Sequence, residues 1–201
     1  MKKSAPHGYA AFRTLVEASP KPVVLLEGSR EAPPEILARM EDLAEHLMRS
    51  FPKLVARTGN ATGSDQAWAR GINRVDPKRL ELLLPRPSFQ KGAIAGGNTV
   101  HALGDLKEED RHAGRLVTRA QYEYRGRRGA AAFDGMPETH KPYLIRDALK
   151  VLGYEDYRGR CHKAIAGLFY VNPDVPTAEA PAKRSASARR KESPCFSTRI
   201  G

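Results

Sequence analysis

Cysteine is scarce in this chain: Cys161 and Cys195 are the only two among 201 residues, and they lie far apart. Two such cysteines make no disulfide framework; free thiols in a reducing compartment are expected, so the chain reads as cytoplasmic. Cys161-His162 and Cys195 also fall short of the ligand set of a structural zinc site, so no metal is expected, and no cofactor. No uninterrupted apolar run approaches the length of a membrane span, and no membrane partner is expected. Met1-Lys2-Lys3-Ser4 carries charge with no apolar stretch behind it, so a secretory leader is not expected either. Tryptophan occurs once, as Trp68, and its helical spacing reads as core packing rather than stacking on a base. Acidic residues are outnumbered, 23 against 34 Lys and Arg, leaving +11 at neutral pH. That balance favours an anionic partner such as a nucleotide or nucleic acid.

What the chain has is a run of parallel α/β grammar. Val23-Val24-Leu25-Leu26 is a short apolar strand ending at Gly28-Ser29-Arg30. A helix follows, with Ile36, Leu37, Met40, Leu43, Ala44, Leu47 and Met48 at helical spacing, Pro34 in its first turn and Phe51-Pro52 closing it. Leu54-Val55-Ala56 is a second strand; the turn from Thr58 to Asp65 opens a second helix through Trp68 to Ile72. Arg79 to Leu84 supplies a third strand. Strand, glycine turn and helix repeated in this way predict a Rossmann-like three-layer parallel sheet with helices on both faces. The two turns, about thirty residues apart as one βαβ unit requires, put amides and helix amino ends on one sheet edge, where an anion is favoured.

Gly28-Ser29-Arg30, followed by Gly59-Asn60-Ala61-Thr62-Gly63-Ser64-Asp65-Gln66-Ala67 and Gly71, resembles the SLOG superfamily, which joins DprA, the LOG phosphoribohydrolases and small phage and plasmid proteins. Asn60 stands where the family has a second glycine, and Ser64 where it has alanine. Leu83-Leu84-Pro85 and the segment from Arg146 to Gly153 are similar to the small phage-type members, so the resemblance spans roughly 22–171 with gaps. It implies a nucleotide or nucleotide-derived ligand held by Gly28, Ser29, Arg30, Gly59, Asn60, Gly63, Ser64, Asp65 and Arg146. It also implies contact with single-stranded DNA, as in DprA-like relatives, and a homo-oligomer, since oligomers are common among them. The glutamate motif of the LOG enzymes is absent: Gly96-Gly97-Asn98-Thr99 lacks the flanking proline, third glycine and glutamate.

Residues 1–21 read as a leading helix around Tyr9, Phe12, Leu15 and Val16, residues 22–172 as the domain, and 173–201 as a basic, disordered tail. The tail's residues 183–201 carry +5. Within the domain, Pro85 to Gly104 reads as a loop over the sheet edge, Leu106 to Tyr124 as a polar helix and Arg125 to Gly135 as a second loop. A helix from Lys141 or Pro142 to Leu152 and a buried strand from Ala164 to Val171 complete it. Arg111, Arg115, Arg119, Arg125, Arg127 and Arg128 face only Glu123 in their own span and are the candidate nucleic-acid contacts, against the reading of a solvated basic face.

Arg30 offers a fork of donors to a phosphate, against the plainer reading of a surface arginine. Ser29 and Ser64 suit phosphate contact or helix capping alike, and Asp65 reads first as a carboxylate at a helix start. Glu27, His101 and Asp105 lie near the same edge but form no recognisable catalytic constellation. The expectation is therefore a nucleotide-binding protein, more a binder than an enzyme. A LOG-like N-glycosidase and a partner-binding module with a degenerate crevice stand as alternatives.

Overall fold

The computed structural model describes residues 8–124, 129–155 and 161–171. Five strands form one all-parallel sheet: β1 (Val23–Gly28), β2 (Val55–Thr58), β3 (Leu80–Leu84), β4 (Thr99–Ala102) and β5 (Ala166–Tyr170). Their spatial order is β4-β3-β2-β1-β5. The chain therefore steps outward from β1 to β4 and then returns to the far side of β1. Right-handed crossovers put the helices of the outward steps on one face and those of the return step on the other. That is the arrangement found. Helices α1 (Tyr9–Ala18), α2 (Pro34–Ser50) and α3 (Ser64–Asn73) cover one face, and α4 (Glu108–Tyr124), α5 (Ala130–Asp134) and α6 (Lys141–Leu152) lie on the other.

Strand alternation explains why the two faces differ. Val24, Leu26, Ala56, Leu80, Leu82 and Leu84 point into the larger apolar core with Met40, Leu47, Trp68 and Ile72 from α2 and α3. Residues of the other parity include Leu25 and Leu83 but also Glu27, Arg57 and Glu81, so the face under α6 is partly charged. Arg57 and Glu81 are register partners on β2 and β3 and form an ion pair at 2.7 Å. The Arg57 guanidinium also donates to the Lys150 carbonyl and lies over the Tyr154 ring. On the first face α2 and α3 approach so closely that a Cβ on Gly71 would lie 2.1 Å from the Glu41 carbonyl oxygen.

The three-layer parallel fold matches the expectation from sequence, and Trp68 is core, its indole N–H donating to the Glu27 carbonyl. Three element readings need correction. The stretch 85–104 is not all loop: Thr99-Val100-His101-Ala102 pairs with β3 as the outermost strand. It is short and half exposed, so it carries no hydrophobic alternation to read. The second loop holds the five-residue helix α5, fixed by Phe133 in the core between α4 and α6. β5 is not a buried strand but an edge among the described residues, with Phe169 and Val171 largely exposed. The expectation of a disordered tail falls on residues outside those described.

Candidate functional site at the carboxyl edge of the sheet

In a parallel sheet the ligand crevice opens beyond the carboxyl ends of the strands where the strand order reverses, here at β1 between β2 and β5. The first glycine turn leaves β1 there. Ser29 donates its amide to the Tyr170 carbonyl at 2.9 Å. Its own carbonyl accepts from the Ser64 amide at 3.2 Å and the Ser64 hydroxyl at 2.7 Å. The Ser29 hydroxyl accepts from the Glu31 amide. Both serines thus tie the first turn to the start of α3.

The glycines serve the same closure. A Cβ on Gly28 would meet the Ser64 hydroxyl oxygen at 2.6 Å. Gly63 has φ +82° and would press a Cβ to within 2.4 Å of the Arg30 carbonyl oxygen. Only glycine satisfies both demands at Gly63. Arg30 itself is exposed, beside the amino end of α3, and its guanidinium has no partner among the described residues.

The second turn is packed from above by α6. Arg146 is buried, and its guanidinium lies where a Cβ on Gly59 would fall, 2.8 Å from the nearer nitrogen. It donates to the Gly59 carbonyl at 3.0 Å and to Asp147 at 2.8 and 3.1 Å. The rings of Phe89 and Tyr143 flank it and pack edge to face on each other. Arg146 lies against the second turn, and its fork is occupied within the protein by the Gly59 carbonyl and Asp147. Asn60 has φ 59°, the left-handed conformation in which asparagine substitutes for glycine at least cost. It is fully buried; its amide nitrogen donates to the Gln90 carbonyl, while Oδ1 has no partner among the described residues. Asp65 accepts from the Ala61 amide at 3.1 Å and so clasps its own turn.

Beneath these turns lies a charged cluster in which Lys150 and Asp65 are buried, Glu27 is largely covered and the Asp147 side chain is half exposed. Lys150, 1% exposed, pairs with Glu27 and, at 2.8 Å, with Asp147. Burial pushes the Glu27 carboxyl up to about 7; Lys150 opposes that push, while Asp65 and Asp147 add to it. Burial likewise raises Asp65, with Lys150 and the Ala61 amide pulling the other way. For Asp147 burial is outweighed by Lys150 and Arg146, which hold it below the ordinary aspartate range. Sequence reasoning singled out Glu27 but missed Asp147 and Lys150. Lone charged residues inside short apolar strands (Glu27, Arg57, Glu81), and a lysine between Leu149 and Val151, were the available signals.

The arginines of α4 fare differently. Arg111 pairs with Glu108, Arg115 lies 3.8 Å from Glu138, and Arg119 forms a two-pronged pair with Asp134. Their counter-charges come from beyond the span in which only Glu123 was counted. Between α4 and α6, Arg111 and Arg115 line a groove of about 210 Å³ with His112 and Lys141, in which Glu108 and Glu138 offset the positive charge. Arg125, Arg127 and Arg128 lie outside the described residues. No group of His, Cys, Asp and Glu able to hold a metal ion is present among the described residues. No family model, curated protein or solved structure matches the chain.

Proposed function

We propose that the chain binds an anionic ligand, a nucleotide or nucleotide-derived phosphate, at the carboxyl edge of β1 and β2, in the manner its resemblance to the SLOG superfamily implies. The observation that supports this reading is Arg30. Ser29, Ser64, Asp65 and Arg146 are engaged with their neighbours, whereas Thr58 Oγ1 and Asn60 Oδ1 have no partner among the described residues. Arg30 stands exposed at the strand-order reversal, its backbone beside the amino end of α3 and its guanidinium without a partner among the described residues. A guanidinium there adds two parallel donors to the favourable end of a helix dipole.

Calorimetric titration with mononucleotides, cyclic nucleotides, ADP-ribose-type compounds and short single-stranded DNA tests the reading, at low and high salt. Saturable binding of a small anion, weakened roughly tenfold or more in Arg30→Ala, is the expected result for one charge-assisted contact. Small-molecule binding indifferent to Arg30, or none at all, would remove the crevice from consideration and leave the partner-binding module.

A further inference from the structure

Among the described residues β5 ends the sheet, with only β1 beside it. Ile165 donates its amide to the Val23 carbonyl at 2.9 Å, so by strand alternation Ala166 and Leu168 turn their N–H and C=O groups away from β1. Such a row is a template for another strand, and proteins commonly blunt it with charge, proline or a bulge. β5 has none of these. Its register with β1 is unbroken, and residues 164–171 carry no charge in a chain where 28% of residues are charged. Phe169 is 64% exposed and Val171 62%, so the open edge is also apolar.

The sequence of the strand says what fits there. Ala166-Gly167-Leu168-Phe169-Tyr170 is small at one end and large at the other. An antiparallel copy centred on Leu168 therefore complements it in size at every position. Ala166 falls opposite Tyr170 of the copy, Gly167 opposite Phe169, and Leu168 opposite its own equivalent. That register makes the outward-facing Leu168 a hydrogen-bonded pair with itself. Gly167 and Phe169 then form the pairs without hydrogen bonds, where the strands approach most closely. Bare backbone at Gly167 gives the room: a Cβ there would fall 2.4 Å from a ring carbon of its own Phe169. The two Phe169 rings, each lying over its own Gly167, would meet side by side across the axis. A two-fold interface sets any charge near its axis against its own like, and this strand brings none.

We propose that β5 is the self-association edge of this chain: two copies pair β5 with β5, antiparallel about Leu168, and join their sheets into one. Each copy keeps its own crevice, the two opening at opposite ends of the joined sheet. The inference stands apart from the crevice reading above.

One strand pair buries less than the roughly 1,200 Å² at which stable interfaces begin, so sedimentation velocity of the full chain would run from about 1 to 200 µM. The expected result is a mass that moves from 22.2 kDa toward twice that value across the range. Raising salt should strengthen the association, since the pairing is uncharged and each chain carries +11. Phe169→Lys sets two like charges beside the axis at an exposed position and should raise the midpoint concentration by roughly tenfold or more. Leu168→Cys, in a chain with Cys161→Ser and Cys195→Ser, gives a readout that does not depend on Phe169→Lys folding. The two 168 positions would face each other at about 5.5 Å between Cα atoms, so mild oxidation should link the copies. A chain still monomeric at the highest concentration would overturn the proposal and leave the edge to another occupant, its own residues 172–201 among them. A dimer that weakens with salt, ignores Phe169→Lys or fails to link through position 168 would overturn it equally, by placing the contact on another surface.

Discussion

At Asn60 one backbone angle decides what the side chain can be. Its φ of 59° lies in the left-handed region, where glycine is unstrained, asparagine is tolerated and alanine is penalised. The residue by which this chain departs from the family-like glycine is therefore the substitute that preserves the turn. Asn60→Ala should lose about 1–2 kcal/mol, from left-handed strain together with the lost bond to Gln90. Asn60→Gly loses the same bond but relieves the strain and removes the unpaired Oδ1, so it should stay within about 1 kcal/mol of the parent. Urea unfolding of both variants distinguishes them; equal losses would mean that the turn does not depend on that angle. Gly59 differs in kind, because its φ is not positive and its constraint comes from the Arg146 guanidinium lying over it.

Helix α6 joins the sheet through charge as much as through apolar packing. Ile145 and Leu149 seat it in the second core, while Lys150 reaches Glu27 and its carbonyl accepts from Arg57. Removing the one buried cation that bridges Glu27 and Asp147 should be costly: Lys150→Met is expected to lose about 3–5 kcal/mol at pH 8. The loss has a definite pH dependence. Without Lys150 the folded-state pKa of Glu27 rises further above its unfolded value, so the folded chain holds the extra proton and stability falls as pH rises. The deficit should therefore shrink between pH 8 and pH 5.5, and adding Glu27→Gln should recover part of it at pH 8. Chemical denaturation at the two pH values measures both effects; a deficit independent of pH would exclude a charge-based role for this helix.

Elements with strong periodicity were legible in the sequence for a plain reason. α2 and α3 carry a full apolar stripe, and β1 to β3 carry apolar runs bounded by turn residues, because their burial is local and nearly complete. β4 and α5 are held by partners distant in sequence, the first by β3 and the second by α4, so no short window announces them. The glycines were legible as turn residues but not in their use. Gly28 and Gly63 join turn to turn, and Gly59 admits Arg146. The ion pairs of α4 were invisible on the same grounds, since Asp134 and Glu138 stand a segment away.

Across the whole molecule, those pairings relocate the positive charge. Arg111, Arg115 and Arg119 each face a carboxylate, so the described face of α4 offers little uncompensated charge to a polyanion. Residues 183–201, by contrast, hold six basic residues against Glu192. Phosphate contacts release counterions, and each contact to a single strand adds roughly 0.7 to the slope of log affinity against log salt. Single-strand binding should therefore depend on that terminal run. A chain ending at residue 182 should show a salt slope shallower by up to about 3–4 and much weaker binding near physiological salt. Its affinity for a small anion at Arg30 should be unchanged. Substituting Arg111, Arg115 and Arg119 together with Ala should, on the same argument, leave the slope within about one contact of the parent. Measuring DNA affinity from 50 to 300 mM salt in the three proteins separates the cases, and a slope lost with the α4 arginines but kept in the shortened chain would place the polyanion on α4 after all.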